Sequence, residues 1–401
     1  MAIRITYVIL LWSMLLVLYL SGESLKKRYK IFSYAGFASI LAYTLNEGLR
    51  FGRGIDYNLY WRGYDQLAAG WQSKKEPVFI FLQQLFISLD LAYQALVIFM
   101  SFMFILGVLC LMRNYKSILP LALPLFVIYS LNNVENMVRW YLAYSFILIG
   151  LSFLMQEKHI NWKYIFWCAI GCSIHLAIIP IPVLIYILYL KKSVLLHPFI
   201  SIPAFFLIYF LFDTKIMLNF ADLLNVVTST TGAFENYSNR AEYWLTGGFA
   251  GVEMSGKIGP LDLLYICTLT IMGYKAVRMM GRNYIFAYNL FIVGMLLYPI
   301  SKKIELVGRY DQTFYIFRGI VLATVIYVYF IWKHISAYYI VLISTLLIYI
   351  SSIRSVIVAP FKTNEKFLLY VWDKGNYKYD SIYQLYIRDL RKSPSKEKRR
   401  K

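Results

Sequence analysis

Charge is scarce in this chain of 401 residues. Only 15% of them are charged, and Asp and Glu together number 21 against 41 Lys and Arg. Cysteine is scarce as well. Cys110, Cys168, Cys172 and Cys267 lie within apolar segments without a paired CxxC spacing, so neither a disulfide framework nor a zinc site follows, and they read as small packing residues. The long apolar runs do not alternate apolar with polar residues, which argues against a transmembrane barrel and for helices. No small-residue cleavage site precedes the basic Lys26-Lys27-Arg28 cluster, so the first run is expected to stay in the membrane and not leave as a signal peptide. Motifs for nucleic acid are missing too. The net charge of +20 sits in loops and in the tail, where membrane orientation and anionic headgroups account for it, and no nucleic-acid partner is expected.

What the chain does have is apolar length. Hydrophobic residues make up 60% of it and aromatic ones 18%, with a mean hydropathy of +0.57. Many runs reach the roughly 17–25 residues that a helix needs to cross a hydrocarbon core of about 30 Å. The expected fold is therefore all-α, a polytopic membrane helix bundle of about 12 transmembrane helices. Spans are read at 3–20, 31–45, 91–112 and 117–130, then a helix carrying Arg139, then 198–212, 261–274, 284–300, 313–332 and 336–357. The segments 77–89 and 162–190 are the two that suit an amphipathic or re-entrant piece, the second being broken by Pro180 and Pro182. Residues 1–360 are read as one transmembrane domain with loops at 46–76, 213–260 and 301–312, and residues 361–401 as a basic tail. If the N-terminus faces outward, the basic turns at 21–30, 113–116, 156–163, 191–192 and 275–282 fall in the cytoplasm and the Arg50, Arg139 and Arg309 sites share the outer face. The same count leaves the basic tail outside, against the positive-inside rule.

The chemistry is expected between Arg50 and Glu76. Arg50, Arg53 and Arg62 supply cationic forks suited to phosphate or carboxylate, Gly52 and Gly54 allow a sharp turn, and Asp56 is the one carboxylate between Glu47 and Asp65. A solvated interfacial loop has a similar composition. Arg139 would lie one turn inside a membrane helix, where Glu135 four residues back is available as a helical partner, and Glu305 stands in the same relation to Arg309. His175 falls just before the proline break. It is either a hydrogen-bonded structural residue or a functional one, since polar groups inside a membrane need a reason. Tyr237, Arg240, Glu242, Tyr243 and Trp244 cluster in the longest loop, where they suit a sugar or an interfacial aromatic belt equally.

Taken in order, Arg53-Gly54-x-Asp56-x-x-x-Tyr60, then Glu76 opening an apolar helix, then Arg139, then His175, then Gly308-Arg309-Tyr310 resemble the EpsG family of bacterial polysaccharide polymerases, which are Wzy-like. The resemblance covers about residues 30–360. The family's Gly-Thr-Asp type run is Gly54-Ile55-Asp56 here, and the basic tail has no counterpart. What the resemblance implies is a glycosyltransferase of the bacterial inner membrane with its active site facing the periplasm or exterior. It would polymerise oligosaccharide repeat units carried on undecaprenyl diphosphate, as donor and as acceptor, into O-antigen, capsule or exopolysaccharide. No cofactor or metal is implied. Membrane lipid, a chain-length regulator and a flippase are the implied partners. In that frame Arg50, Arg53, Arg139 and Arg309 are candidates to hold the diphosphate, Asp56, Glu76 and His175 to activate or orient the acceptor hydroxyl, and Tyr60 and Tyr310 to bind the sugar, with Trp61 beside Tyr60. Two other readings stay open, a lipid-linked oligosaccharide flippase and a membrane acyltransferase acting on surface glycans.

Overall fold

The computed structural model describes residues 2–54, 56–71, 76–157, 160–191, 196–211, 258–332 and 369–372. Among these residues the chain is helical, with no strand beyond one isolated bridge between Arg50 and Tyr370. Fourteen α-helices are described. In chain order they are α1 (Ala2–Lys27), α2 (Tyr34–Gly48), α3 (Tyr57–Ala68), α4 (Pro77–Ser88), α5 (Tyr93–Met112), α6 (Leu119–Asn136) and α7 (Val138–Glu157). There follow α8 (Trp162–Ile174), α9 (Pro180–Leu190), α10 (Pro198–Leu211), α11 (Pro260–Met280), α12 (Arg282–Ser301), α13 (Glu305–Tyr315) and α14 (Arg318–Ile326). Six stretches among the described residues are long and apolar enough to cross a membrane, the longest of them holding both α5 and α6. Helices α4 and α10 and the Leu176–Leu190 segment are apolar but shorter.

Local chemistry sets many of the boundaries. Ser33 and Asn161 cap α2 and α8 by accepting from the backbone N–H of Gly36 and Tyr164. Proline stands at the start of α4, α9 and α11, where its missing N–H costs no helical bond. The turn between α11 and α12 is a single glycine, Gly281, with φ of 100°. The basic turn expected at 275–282 is therefore mostly helix, because Lys275 and Arg278 extend α11.

Two further expectations are corrected in the same way. The loop expected over 301–312 is a short turn at Lys302–Ile304, after which α13 begins and carries Arg309 on a helix. The loop expected over 46–76 contains α3, an amphipathic helix whose Tyr57, Tyr60 and Tyr64 fall on one buried face at the spacing of helical turns. The segment 162–190 is broken at His175, which has extended backbone (φ −149°, ψ 103°) between α8 and a short 3₁₀ turn. The expected loop 213–260 lies outside the described residues apart from its last three, and so do the 336–357 span and the tail beyond Trp372.

Helix α7 forms the centre of the bundle, buried on almost every turn between α5, α8 and α6. Close approach is made possible by residues without a side chain. A Cβ on Gly107 or Gly171 would lie 2.6 Å from a carbonyl oxygen of α7, that of Ser145 or Ala143, and one on Gly294 would lie 2.3 Å from the backbone nitrogen of Tyr315. Between apolar helices in lipid, such backbone proximity carries the packing that the hydrophobic effect supplies in water. The ends of α2, α6, α8 and α12 and the starts of α3, α4, α7 and α13 meet at one end of the bundle, as the contacts described next demonstrate.

Candidate active site

Two charge clusters occupy that end. The first is closed on itself. Glu47, fully buried in the last turn of α2, is within 3.4 Å of both the Arg50 and the Arg53 guanidinium, and Arg53 also pairs with Glu135 at 3.2 Å. Arg53 donates to the Asn46 carbonyl (2.8 Å) and lies against the rings of Tyr7 and Tyr370. Tyr370 donates to the Asn46 side chain (2.8 Å), and the backbone of Leu369 and Val371 hydrogen-bonds to Phe51 and Leu49. Residues 369–372 thus return to the end of the bundle that holds Arg50. Gly54, with φ of 93°, is what lets the chain turn beneath this cluster, since a Cβ there would lie 2.3 Å from the Glu135 carbonyl oxygen. Two carboxylates face two guanidiniums, and these pairs tie α2 to α6 and to residues 369–372.

The second cluster is centred on Glu76, the residue before α4. One of its oxygens accepts from Arg139 Nη1 and the other from His175 Nδ1 at 2.6 Å. Arg139 therefore pairs across the bundle with Glu76, 63 residues away, and not with Glu135, which is engaged by Arg53. The reason is the helix break at Met137 (φ −108°, ψ 53°), which separates Glu135 on α6 from Arg139 on α7 and removes their helical register. The Arg139 guanidinium also lies over the rings of Tyr60 (5.6 Å) and Phe79 (5.7 Å). His175 is 2% exposed, with its ring edge-on to Trp140 at 5.4 Å.

Trp140 joins the third cation to this centre. Its ring meets that of Tyr310 at 5.3 Å, and its Nε1 donates to Thr313 Oγ1 (2.8 Å), which itself donates to the Arg309 carbonyl (2.6 Å). Among the described residues the Arg309 side chain makes no ion pair or hydrogen bond. Tyr310 donates its hydroxyl to the Ala177 carbonyl (2.7 Å) and so fixes α13 against the break after His175.

The electrostatics distinguish Glu76 from His175. Burial by itself would raise the Glu76 carboxyl, but the His175 hydrogen bond and the Arg139 charge outweigh it and hold the pKa at about 2. Such a carboxylate is ionised at every working pH and is a poor proton acceptor. It orients instead. A carboxylate can only accept, so neutral His175 carries its proton on Nδ1 and keeps the lone pair on Nε2, the arrangement required of a general base. One carboxylate and two guanidiniums leave the centre positive when His175 is neutral, which suits an anionic substrate.

Of the residues singled out from sequence, Glu76, His175, Arg139, Tyr60, Arg309 and Tyr310 come together here. Arg50 and Arg53 belong to the closed cluster. Asp56 precedes α3 one turn before Tyr60, and Trp61 packs on Phe51 and Tyr57. Sequence reasoning did not single out Trp140, Glu47 or Tyr370. It also passed over Arg318, although an arginine inside the apolar run 313–332 is a signal of its own.

Searches of curated proteins and of solved structures return no match. A family model does match, over residues 33–372, which takes in both charge clusters and residues 369–372. That model is the EpsG family, and the chain is a member of it.

Proposed function

We propose that this membrane protein of polysaccharide biosynthesis is a glycan polymerase that joins lipid-linked oligosaccharide repeat units at the Glu76 centre. The observation that carries the reading is the Glu76–His175 hydrogen bond, with the Arg139 guanidinium on the same carboxylate and Arg309 on α13, which packs on the centre through Tyr310 and Trp140. In the proposed reaction a hydroxyl of the acceptor glycan attacks the anomeric carbon of the donor. Its proton passes to His175 Nε2 as the new C–O bond forms, and the bond from the anomeric carbon to the diphosphate oxygen breaks. The lipid diphosphate leaves with the electron pair. In this reading Arg309 and Arg139 hold that developing charge, and a cation waiting in a water-poor site needs little reorganisation as the charge appears. Tyr60, beneath Arg139, offers a ring to a sugar face. Undecaprenyl diphosphate is the lipid this reading takes, with the centre facing the periplasm or exterior of the bacterial inner membrane.

Transport of the same lipid by the same arginines is the second reading. The Glu76–His175 pair favours transfer over transport, since binding a diphosphate needs no oriented base. The test is a purified-protein assay with a lipid-linked repeat unit, read as a ladder on a gel, with monodispersity as the control for folding. Wild type is expected to make the ladder, and well-folded His175→Ala, Arg139→Ala and Arg309→Ala to lose it. No ladder from wild type, with the lipid crossing reconstituted vesicles instead, overturns the proposal.

A further inference from the structure

Helix α13 has a second side. Arg309, Tyr310 and Thr313 face the Glu76 centre, while Gly308, Asp311, Gln312 and Tyr315 fall on the opposite face by helical periodicity and line a cavity of about 260 Å³. The remaining walls include Tyr129 and Asn133 from α6, Ser301 and Lys302 from the end of α12, and Arg318 from α14. None of these residues belongs to the centre described above. A helix diameter of about 10–12 Å separates the two sites.

The polar atoms of this cavity are unusual in being left over on both sides of the hydrogen-bond ledger. The Arg318 guanidinium lies over the rings of Tyr129 (4.0 Å) and Tyr315 (4.2 Å) and has no ion pair among the described residues. Its Nε–H is a buried donor without an acceptor. Asp311, 3% exposed, uses one oxygen to accept from Ser301 Oγ (2.8 Å), while its other oxygen, Oδ1, is buried without a donor. The Gln312 Oε1 is likewise buried without a donor. A buried polar group left in this state costs about 1–3 kcal/mol, so three around one cavity call for an occupant that satisfies them.

The mixture decides the class of occupant. A phosphate diester anion brings acceptors alone, which suits Arg318 but opposes Asp311 Oδ1 and Gln312 Oε1. A polyol brings a donor and an acceptor in every hydroxyl and suits all three. The volume lies just below the roughly 300–1,000 Å³ typical of small-molecule sites, which is room for one sugar ring and not for an oligosaccharide.

We propose that this cavity is a glycan subsite that takes a single sugar ring of the polysaccharide, with Arg318 donating to a ring substituent, Asp311 and Gln312 accepting from hydroxyls, and Lys302 at the end of α12 beside it. The inference deepens the function proposed above and rests on it for the identity of the glycan. Its test therefore reads binding alone. Purified protein in a detergent without sugar is mixed with methyl glycosides of neutral hexoses and N-acetylhexosamines at millimolar concentration, and saturation-transfer NMR is recorded. Transfer to at least one glycoside is expected from wild type and from Glu76→Gln, with at least a fivefold loss in Gln312→Leu and in Asp311→Ala of unchanged monodispersity. Dimethyl phosphate, an anion with acceptors alone, is expected not to compete. Absence of transfer from wild type, indifference to both variants, or displacement by dimethyl phosphate each overturns the subsite while leaving the polymerase reading intact. Failure of wild type to make polymer, with glycoside binding present, would do the reverse.

Discussion

Replacing Glu76 by glutamine is the perturbation with the most specific outcome. The carboxylate accepts from two donors at once, His175 Nδ1–H and Arg139 Nη1. An amide of the same shape has one oxygen and one NH2. Keeping Arg139 paired points the NH2 at His175, which must then accept on Nδ1 and carry its proton on Nε2, the wrong tautomer for a base. Keeping His175 paired instead points the NH2 at Arg139 and leaves a half-buried guanidinium facing a donor. Either choice removes one function. General-base catalysis contributes about 10²–10⁴ in rate, and an oriented-base triad loses about 10⁴ when its carboxylate becomes an amide. At 1.36 kcal/mol per tenfold, the expected rise in barrier is about 3–5 kcal/mol. The assay is the initial rate of chain extension by purified protein at saturating lipid-linked repeat unit, with the thermal midpoint recorded alongside. A Glu76→Gln protein that folds normally and extends chains within about threefold of wild type refutes the reasoning, because no oriented base would then be needed.

The closed cluster predicts a different signature. Arg53→Met leaves Glu47 and Glu135 with one guanidinium between them, and breaking a buried pair costs about 3–5 kcal/mol, so its thermal midpoint is expected to fall well below that of wild type, with partial recovery in Arg53→Met combined with Glu135→Gln. Arg309→Ala, by contrast, removes a side chain with no ion pair among the described residues, so the expected result is a loss of about 10²–10³ in rate at an almost unchanged thermal midpoint. In Gly294→Ala the new Cβ meets the backbone of Tyr315, and an overpacking cost of about 1–3 kcal/mol should appear as a lower thermal midpoint with α13 displaced and polymer yield reduced. Acid stability should depend on Glu76. Its pKa is depressed from 4.5 to about 2 in the folded protein, so its contribution is complete above about pH 4.5 and is lost as pH falls toward 2, a dependence that the thermal midpoint of wild type should show and that of Glu76→Gln should lack.

Apolar run length alone made the helical membrane class legible, since nothing but a spanning helix accounts for so many uninterrupted apolar segments. Spacing also located the members of the centre, because Glu76 before a proline-started helix, Arg139 at the edge of a long apolar run and His175 before a double proline are conspicuous departures from apolar sequence. Partners were less legible. The i,i+4 rule pointed Arg139 to Glu135, and only the break at Met137 redirects it to Glu76. Arg50 and Arg53 have the composition of an anion site, and their closure by Glu47 and Glu135 depends on α2 and α6 meeting, which local sequence does not encode. Tyr370 is further from sequence still, reaching Asn46 across 324 positions. Arg318 fell in the expected span 313–332 and Asp311 in the expected loop 301–312, and only the two faces of α13 bring them to one cavity.

The central claim is that a glycosidic bond is made as a lipid diphosphate departs. The direct measurement is the stoichiometry of lipid diphosphate released to repeat units joined, using purified wild-type protein and a repeat unit labelled in both its phosphate and its sugar. One lipid diphosphate released per bond formed, both falling together in His175→Ala, is the predicted result. Lipid carried across vesicles with its phosphate and sugar labels still joined would contradict it.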